Sequence, residues 1–303
     1  RGYRALYAAL RCRTPTCQTG ESMTIRVVTD STCDLPRDMV EDLGITVIPC
    51  YLNIDGKSYL DGVEMTRERF YQELPTYDPF PTTSSPGTGV FVSAYDRLAD
   101  EGADQVLSIH ISARLSGMLN AASAAAQSTS SLKVSIYDSG QLTLGLGLMT
   151  AAAARWAKLG HAMEEIIAKL EDMAQRTWSY ACVDTLEYLR RGGRVSRLEA
   201  TLGGLLRLKP LLVQHLGETI PEKVRTTRRM FERVAHHVSQ LGSIEQVGLV
   251  YTTPSERAQD LLAMVRDLIP HGIEVITGSV TPAIGAHIGP NGAGLTVVSQ
   301  PSS

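Results

Sequence analysis

From residue 23 onward, two periods of apolar and polar positions alternate along the chain. Short apolar runs, "IRVVTD" (25–30), "QVLSIH" (105–110) and "KVSIYD" (133–138), have the length and β-branched content of buried strands. Between them the spacing turns helical: "LPRDMVEDLG" stopped by Gly44, "TRERFYQELP", a run near 89–101, "SGMLNAASAAAQS" and "TLGLGLMTAAAARWAKLG". "ITVIPCYLNID" predicts one further strand and "GKSYLDG" a turn. Strands alternating with helices predict a parallel sheet covered on both faces. In such sheets, ligands sit beyond the carboxyl ends of the strands.

After Gly160 the pattern changes. "HAMEEIIAKLEDMAQRT" predicts a charged amphipathic helix, and "SYACVDTLEYLRRGGRVS" a strand followed by a glycine loop. "PLLVQHLGETIPEKVRTT" predicts two strands joined at Gly217. A basic helix over 226–240, the strand "QVGLVYTT", a helix from Pro254, the strand "IEVITGSV", a Gly-rich turn and a last strand "LTVVSQ" complete the chain. The change falls near 160–178. The expected division is an α/β domain over 23–177 and a second α/β domain over 178–303. Residues 1–22 are Arg-rich, carry no acidic residue before Glu21 and precede a strand opened by Met23. They read as a transit-like peptide or as residues upstream of the true start. The second reading is adopted, and the segment is set outside the fold.

Composition narrows the function. Of the 303 residues, 43% are hydrophobic and 20% charged, and the net charge is -3, so no basic excess exists for a phosphate backbone and nucleic acid is not an expected partner. No apolar run reaches the roughly 20 residues of a spanning helix. A cytoplasmic protein in transient contact with membranes at most is expected. Cys12, Cys17, Cys33, Cys50 and Cys182 are scattered and odd in number. The C-x4-C pair has no second pair near it, so reduced thiols are the expectation rather than a metal site. No cofactor is expected.

The chemistry concentrates in two loops. "FPTTSSPGTGVF" (80–91) places Thr82, Thr83, Ser84, Ser85 and Thr88 just before a helix, although a helix cap needs only one hydroxyl. "ISARLSGMLNAA" repeats the arrangement with Ser112, Ser116 and Gly117. Both loops are expected on one edge of the sheet, where hydroxyls and free helix N–H groups suit an anion. Without a Walker lysine loop, and with "GLGLM" lacking a third glycine, a carboxylate or acyl phosphate fits better than a polyphosphate. The small residues of "LSGMLNAASAAA" are expected to leave an apolar slot for an aliphatic tail. Further polar groups are Arg190, Arg191, Arg194 and Arg197 around Gly192 and Gly193, the run Lys223, Arg225, Arg228 and Arg229, and His287 within "GAHIGPNGAG". Each arginine set also reads as plain solvated surface.

"VVTDSTCDLP", "PTTSSPG", "SARLSGMLNAA", "DTLEYLRRGGRVS", "LKPLL", "EKVRTTRR" and "GAHIGPNGAG" occur in the order and spacing of the DegV family. The chain resembles these bacterial fatty-acid-binding proteins, which include the binding subunits of fatty acid kinase, over about residues 24–299. The resemblance implies an α/β, two-domain DegV-like fold, with a mostly parallel sheet flanked by helices in the first domain and a mixed sheet in the second. It implies one bound long-chain fatty acid and no catalytic residues. The carboxylate would be held at positions matching Thr83, Ser116 and His287, with Ser84 and Gly117 beside them. Arg194 and Arg225 match the arginines that would face a kinase or contact phosphate. In the kinase systems a separate ATP-dependent subunit, similar to dihydroxyacetone kinase, converts the bound carboxylate to an acyl phosphate. Two positions depart from the family: Met118 stands for its usual Thr and Ser85 for its usual Gln. The competing expectation is a hydrolase or phosphotransferase acting on a small acyl phosphate through Asp30, Ser116 and His287.

Overall fold

A computed structural model describes residues 23–195, 209–253 and 255–301. Residues 1–22, with Cys12 and Cys17, and also Arg197 and Leu208 lie outside the described residues. The chain order is β1 (Ile25–Asp30), α1 (Arg37–Leu43), β2 (Thr46–Ile48), β3 (Tyr51–Ile54), β4 (Lys57–Leu60), α2 (Arg67–Glu73) and β5 (Thr82–Ser84). Then come α3 (Thr88–Asp100), β6 (Gln105–His110), α4 (Met118–Ser128), β7 (Lys133–Asp138), α5 (Thr143–Lys158), α6 (Met163–Arg176) and β8 (Thr177–Cys182). They are followed by α7 (Glu187–Arg191), β9 (Lys209–His215), β10 (Glu218–Val224), α8 (Thr227–Ser239), β11 (Ile244–Tyr251), α9 (Glu256–Val265), β12 (Val275–Ser279), α10 (Pro282–Ile288) and β13 (Ala293–Ser299).

The early strands form a four-stranded parallel sheet in the order β2-β1-β6-β7. The later strands form a six-stranded sheet, β10-β9-β8-β13-β11-β12, antiparallel except for β11 beside β12. This is the α/β architecture expected, with one sheet parallel and one mixed. The two strands expected around Gly217 are β9 and β10, joined by a turn in which Leu216 and Gly217 both take positive φ, as a two-residue hairpin requires. Pro221 lies in β10, at the edge of its sheet, where a missing N–H is tolerated.

Two expectations are corrected. "ITVIPCYLNID" is two strands rather than one. The chain breaks at Pro49, sending β2 into the parallel sheet and β3 into a separate antiparallel sheet, β4-β3-β5. "GKSYLDG" is β4 of that small sheet rather than only a turn, because Gly56 turns the chain back at once and Lys57–Leu60 pair with β3.

Helix α5 lies between the two large sheets and packs against β1 and β6 on one side and β8, β11 and β13 on the other. Every residue from Thr143 to Ala154 is buried. The glycines of "GLGLM" are spacers. A Cβ on Gly147 would lie 2.4 Å from the Cys33 carbonyl, and one on Gly145 would lie 2.7 Å from the Ser179 hydroxyl. Their function is close approach on opposite sides of the helix, not nucleotide binding.

Candidate functional site

The hydroxyl loop does not cap its helix. The N-cap of α3 is Gly87, with no side-chain bond to the helix. Instead Thr82–Ser84 form β5, which pairs with β3 so that Thr83 stands opposite Leu52. The two-residue period of a strand then separates the hydroxyls. Thr83 turns inward, and its Oγ1 lies 2.9 Å from His287 Nε2. Ser84 turns outward, is exposed and accepts a bond from Asn53 Nδ2 at 3.3 Å. The next residue, Ser85, places its Oγ 3.5 Å from Ser116 Oγ. The structure therefore brings Thr83, Ser116 and His287 to one place across more than 200 residues of sequence, with Ser85 among them and Ser84 on the opposite face.

Ser116 follows β6 in a tight turn whose N–H donates to the Ser112 carbonyl. Its hydroxyl accepts from the Met118 N–H at 3.3 Å, so it also serves the start of α4. Gly117 lies against this pair: a Cβ there would sit 3.4 Å from Ser85 Oγ. Met118 itself is fully buried in the core beneath the parallel sheet. A polar residue at that position would face apolar neighbours here.

The Gly-rich segment around His287 was expected to be a turn. Its first half is instead the buried helix α10, and only Gly289–Gly292 form the turn before β13. Three early residues hold this helix. Asp61 Oδ1 accepts from the Ala283 N–H at 3.2 Å, and Asp61 Oδ2 accepts from the Thr281 and Ser31 hydroxyls, each at 2.6 Å. Asp61 thus caps α10 from a distant loop, because the Thr281 side chain is occupied with it. Asp34 accepts from the Thr281 N–H at 2.8 Å and from Arg67, whose Nε also donates to the Ser279 carbonyl. Burial pushes the Asp34 carboxyl up to about 8, against the pull of Arg67, and pushes Asp61 up as well.

His287 is placed one turn along this helix. Gly192, just past α7, packs onto its ring, where a Cβ would lie 2.1 Å from Nδ1. Nδ1 is buried without a hydrogen-bond partner among the described residues. Burial first, and the nearby Arg194 guanidinium second, lower the imidazole to about 4, so the ring is neutral near pH 7. Arg194 is exposed and donates through Nη1 to the Gly192 carbonyl. Arg225 is exposed between β10 and α8.

The Asp30–Ser116–His287 group of the competing expectation is not assembled. Asp30 is fully buried. Its Oδ2 accepts from His110 Nδ1 at 3.0 Å and from the Ile111 N–H at 3.1 Å, and its Oδ1 accepts from the Thr32 N–H. His110 continues to Ser108 and Tyr95, a closed chain inside the core. Among the described residues, no group of three or more His, Cys, Asp or Glu side chains is arranged to hold a metal ion.

A cavity of about 510 Å³ lies between the inner face of the six-stranded sheet and the α5 and α10 layer. His287 and Arg194 line it, as do Leu115, Leu189, Leu212 and Ile284. Its volume is that of a small-molecule site, ~300–1,000 Å³. The expected slot beside "LSGMLNAASAAA" is corrected: Ala122 and Ala125 of α4 are fully buried in the core, and of that stretch Leu115 reaches the cavity. The apolar wall comes mainly from the second sheet. Sequence reading missed Asp61 and Thr281, and gave no role to Asp34 or Gly192 although both fall in quoted motifs. No local pattern marks these roles, since each residue acts on a partner 95 to 247 positions away.

The family model described as "Uncharacterised protein, DegV family" matches residues 24–300. A DegV domain-containing protein of Listeria monocytogenes is 34% identical over 278 residues, covering 90% of this chain and 97% of that one. Another, from Streptomyces coelicolor, is 35% identical over 279 residues, covering 91% and 99%. Among solved structures, the fatty acid binding protein DegV of Bacillus subtilis superposes with a TM-score of 0.85 at 31% identity, covering 92% of this chain and 100% of that one. A DegV family protein from Thermus thermophilus, described by its fatty acid binding, gives 0.84 at 32% identity, with the same coverage.

Proposed function

Because this chain belongs to the DegV family, we propose that it binds one long-chain fatty acid and presents the carboxylate to a separate ATP-dependent kinase subunit, similar to dihydroxyacetone kinase, for conversion to an acyl phosphate. One observation carries the reading. A largely apolar cavity is lined by a neutral, buried imidazole that is hydrogen-bonded to Thr83, with the Ser85–Ser116 pair two residues further along the chain, just past β5. The tail fills the cavity by the hydrophobic effect, at roughly 0.8 kcal/mol per buried CH2 group. The carboxylate accepts from the Ser116 hydroxyl and from the one proton that the Thr83–His287 pair has left after their own hydrogen bond, and Arg194 supplies positive charge beside it. The exposed Arg194 and Arg225 are the groups that face the kinase and the incoming phosphate.

The test has two stages. Removing one hydrogen bond to a charged group costs about 1.5–3 kcal/mol. Thr83→Ala and Ser116→Ala should therefore each weaken binding of a fluorescent fatty acid about ten- to a hundredfold with the fold intact. Equal affinity in both variants would place the carboxylate elsewhere. Lipid-loaded Arg194→Ala, Arg225→Ala and His287→Ala, given ATP and the kinase subunit, should form acyl phosphate more slowly than the parent. Parent-level rates in all three would sink the presenting role.

A further inference from the structure

The cavity wall is not uniformly apolar. In the strand register Ala181 pairs with Leu212 and Gly294, while Ser179 pairs with Gln214 and Thr296. One cross-strand row is therefore small and apolar, and the next, Gln214–Ser179–Thr296, is polar. All three polar side chains line the cavity. Thr143, the first residue of α5, lines it as well.

Hydrogen-bond accounting shows what this band still offers. The single Ser179 proton goes to Gln141 Oε1 at 2.9 Å. The 2.8 Å contact between Ser179 and Thr296 must then be donated by Thr296. The Thr296 oxygen keeps its acceptor capacity. The Thr143 hydroxyl has no hydrogen bond among the described residues, so its proton remains free to donate toward the cavity. Thr143 is also held at φ +49°, a conformation that β-branched residues seldom adopt and that costs energy to maintain. An unpartnered donor on a strained backbone, lining the same cavity as an acceptor with spare lone pairs, is the pattern of a site for a group that both accepts and donates.

Its depth is set by the strand. Val183 packs with Leu189 and Ile288, next to His287 and therefore at the proposed carboxylate end. Ser179 lies four residues back along β8, ~13 Å at about 3.3 Å per residue. An extended alkyl chain advances ~1.3 Å per carbon for bonds of about 1.5 Å, so the polar band meets the chain about ten carbons from the head.

Resting on the fatty-acid reading above, we infer that the cavity selects a long-chain fatty acid with a hydroxyl group near the middle of its chain. The ligand hydroxyl accepts from Thr143 and donates to Thr296. The experiment measures displacement of a fluorescent fatty acid from the full chain by stearate, by a mid-chain hydroxystearate and by the matching ketostearate. The parent should bind the hydroxystearate about three- to tenfold more tightly than stearate, the gain of one net hydrogen bond. Thr143→Val keeps the β-branched shape and should bring that ratio to about one, whereas Thr143→Ser should preserve it. A parent ratio of one or less overturns the inference, as does a ratio unchanged in a folded Thr143→Val protein. Preference for the ketone, which cannot donate to Thr296, overturns the hydroxyl assignment. If stearate itself fails to bind the parent, the fatty-acid reading falls and this inference falls with it.

Discussion

Asp61→Ala should lower the melting temperature by roughly 5–10 °C, the shift expected from about 3 kcal/mol in a chain of this size. The carboxylate accepts from two hydroxyls and one backbone N–H, with the Thr281 and Ala283 donors buried and Ser31 partly so, and alanine leaves the buried donors unsatisfied. The loss falls on α10, so ligand affinity should drop at temperatures where the rest of the chain is still folded. Asp61→Asn keeps one acceptor oxygen and should be milder. Differential scanning calorimetry checks the order parent, Asn, Ala. A melting temperature for Asp61→Ala within a degree of the parent would show that α10 is held by packing alone.

Gly192→Ala should weaken fatty-acid binding about ten- to a hundredfold while barely changing helix content. The backbone at Gly192, φ -77° and ψ -2°, is open to any residue, so no strain arises there. The added methyl instead meets the His287 ring, 2.1 Å from Nδ1. The imidazole must turn away and lose its bond to Thr83. The expected loss is that of one hydrogen bond to the carboxylate, about 1.5–3 kcal/mol. Equal affinity in the Ala variant would show that His287 tolerates displacement and is not a head-group contact. Since Gly192 also receives Arg194 through its carbonyl, Arg194→Ala is the control that separates the two effects.

Much of this fold is legible in the one-dimensional pattern, for a physical reason. Runs such as 25–30 and 105–110 place apolar residues at adjacent positions rather than in strict alternation, because both faces of a parallel sheet are covered. The hairpin at Leu216–Gly217 is legible because few residues tolerate two consecutive positive φ values. The break at Pro49 is not, since β2 and β3 are each apolar and only their partners differ. At the site, the surplus of hydroxyls in 82–88 signals something beyond capping, and α3 indeed takes no cap from them. Which hydroxyl points inward depends on the pairing of β5 with β3, a register that no local signal encodes. The same holds for α10. "GAHIGPNGAG" reads as turn because glycine disfavours helix, yet Asp61, Asp34 and Tyr71 from elsewhere stabilise the helix that forms. Gly285 is required there because the Tyr71 hydroxyl lies 2.4 Å from where its Cβ would be.

From Thr143 to Ala154, helix α5 has no side of its own to show to water. Its buried length is shared between the parallel sheet and the mixed sheet, so neither sheet can part from it without exposing a surface of Leu, Met and Ala. The chain should therefore melt as one cooperative unit, with a single calorimetric transition rather than two. Slowest-exchanging amide protons should be found in α5 and in the strands on either side of it alike. The chain would then admit its ligand through local openings at the cavity rim, with the two halves keeping their relative orientation throughout.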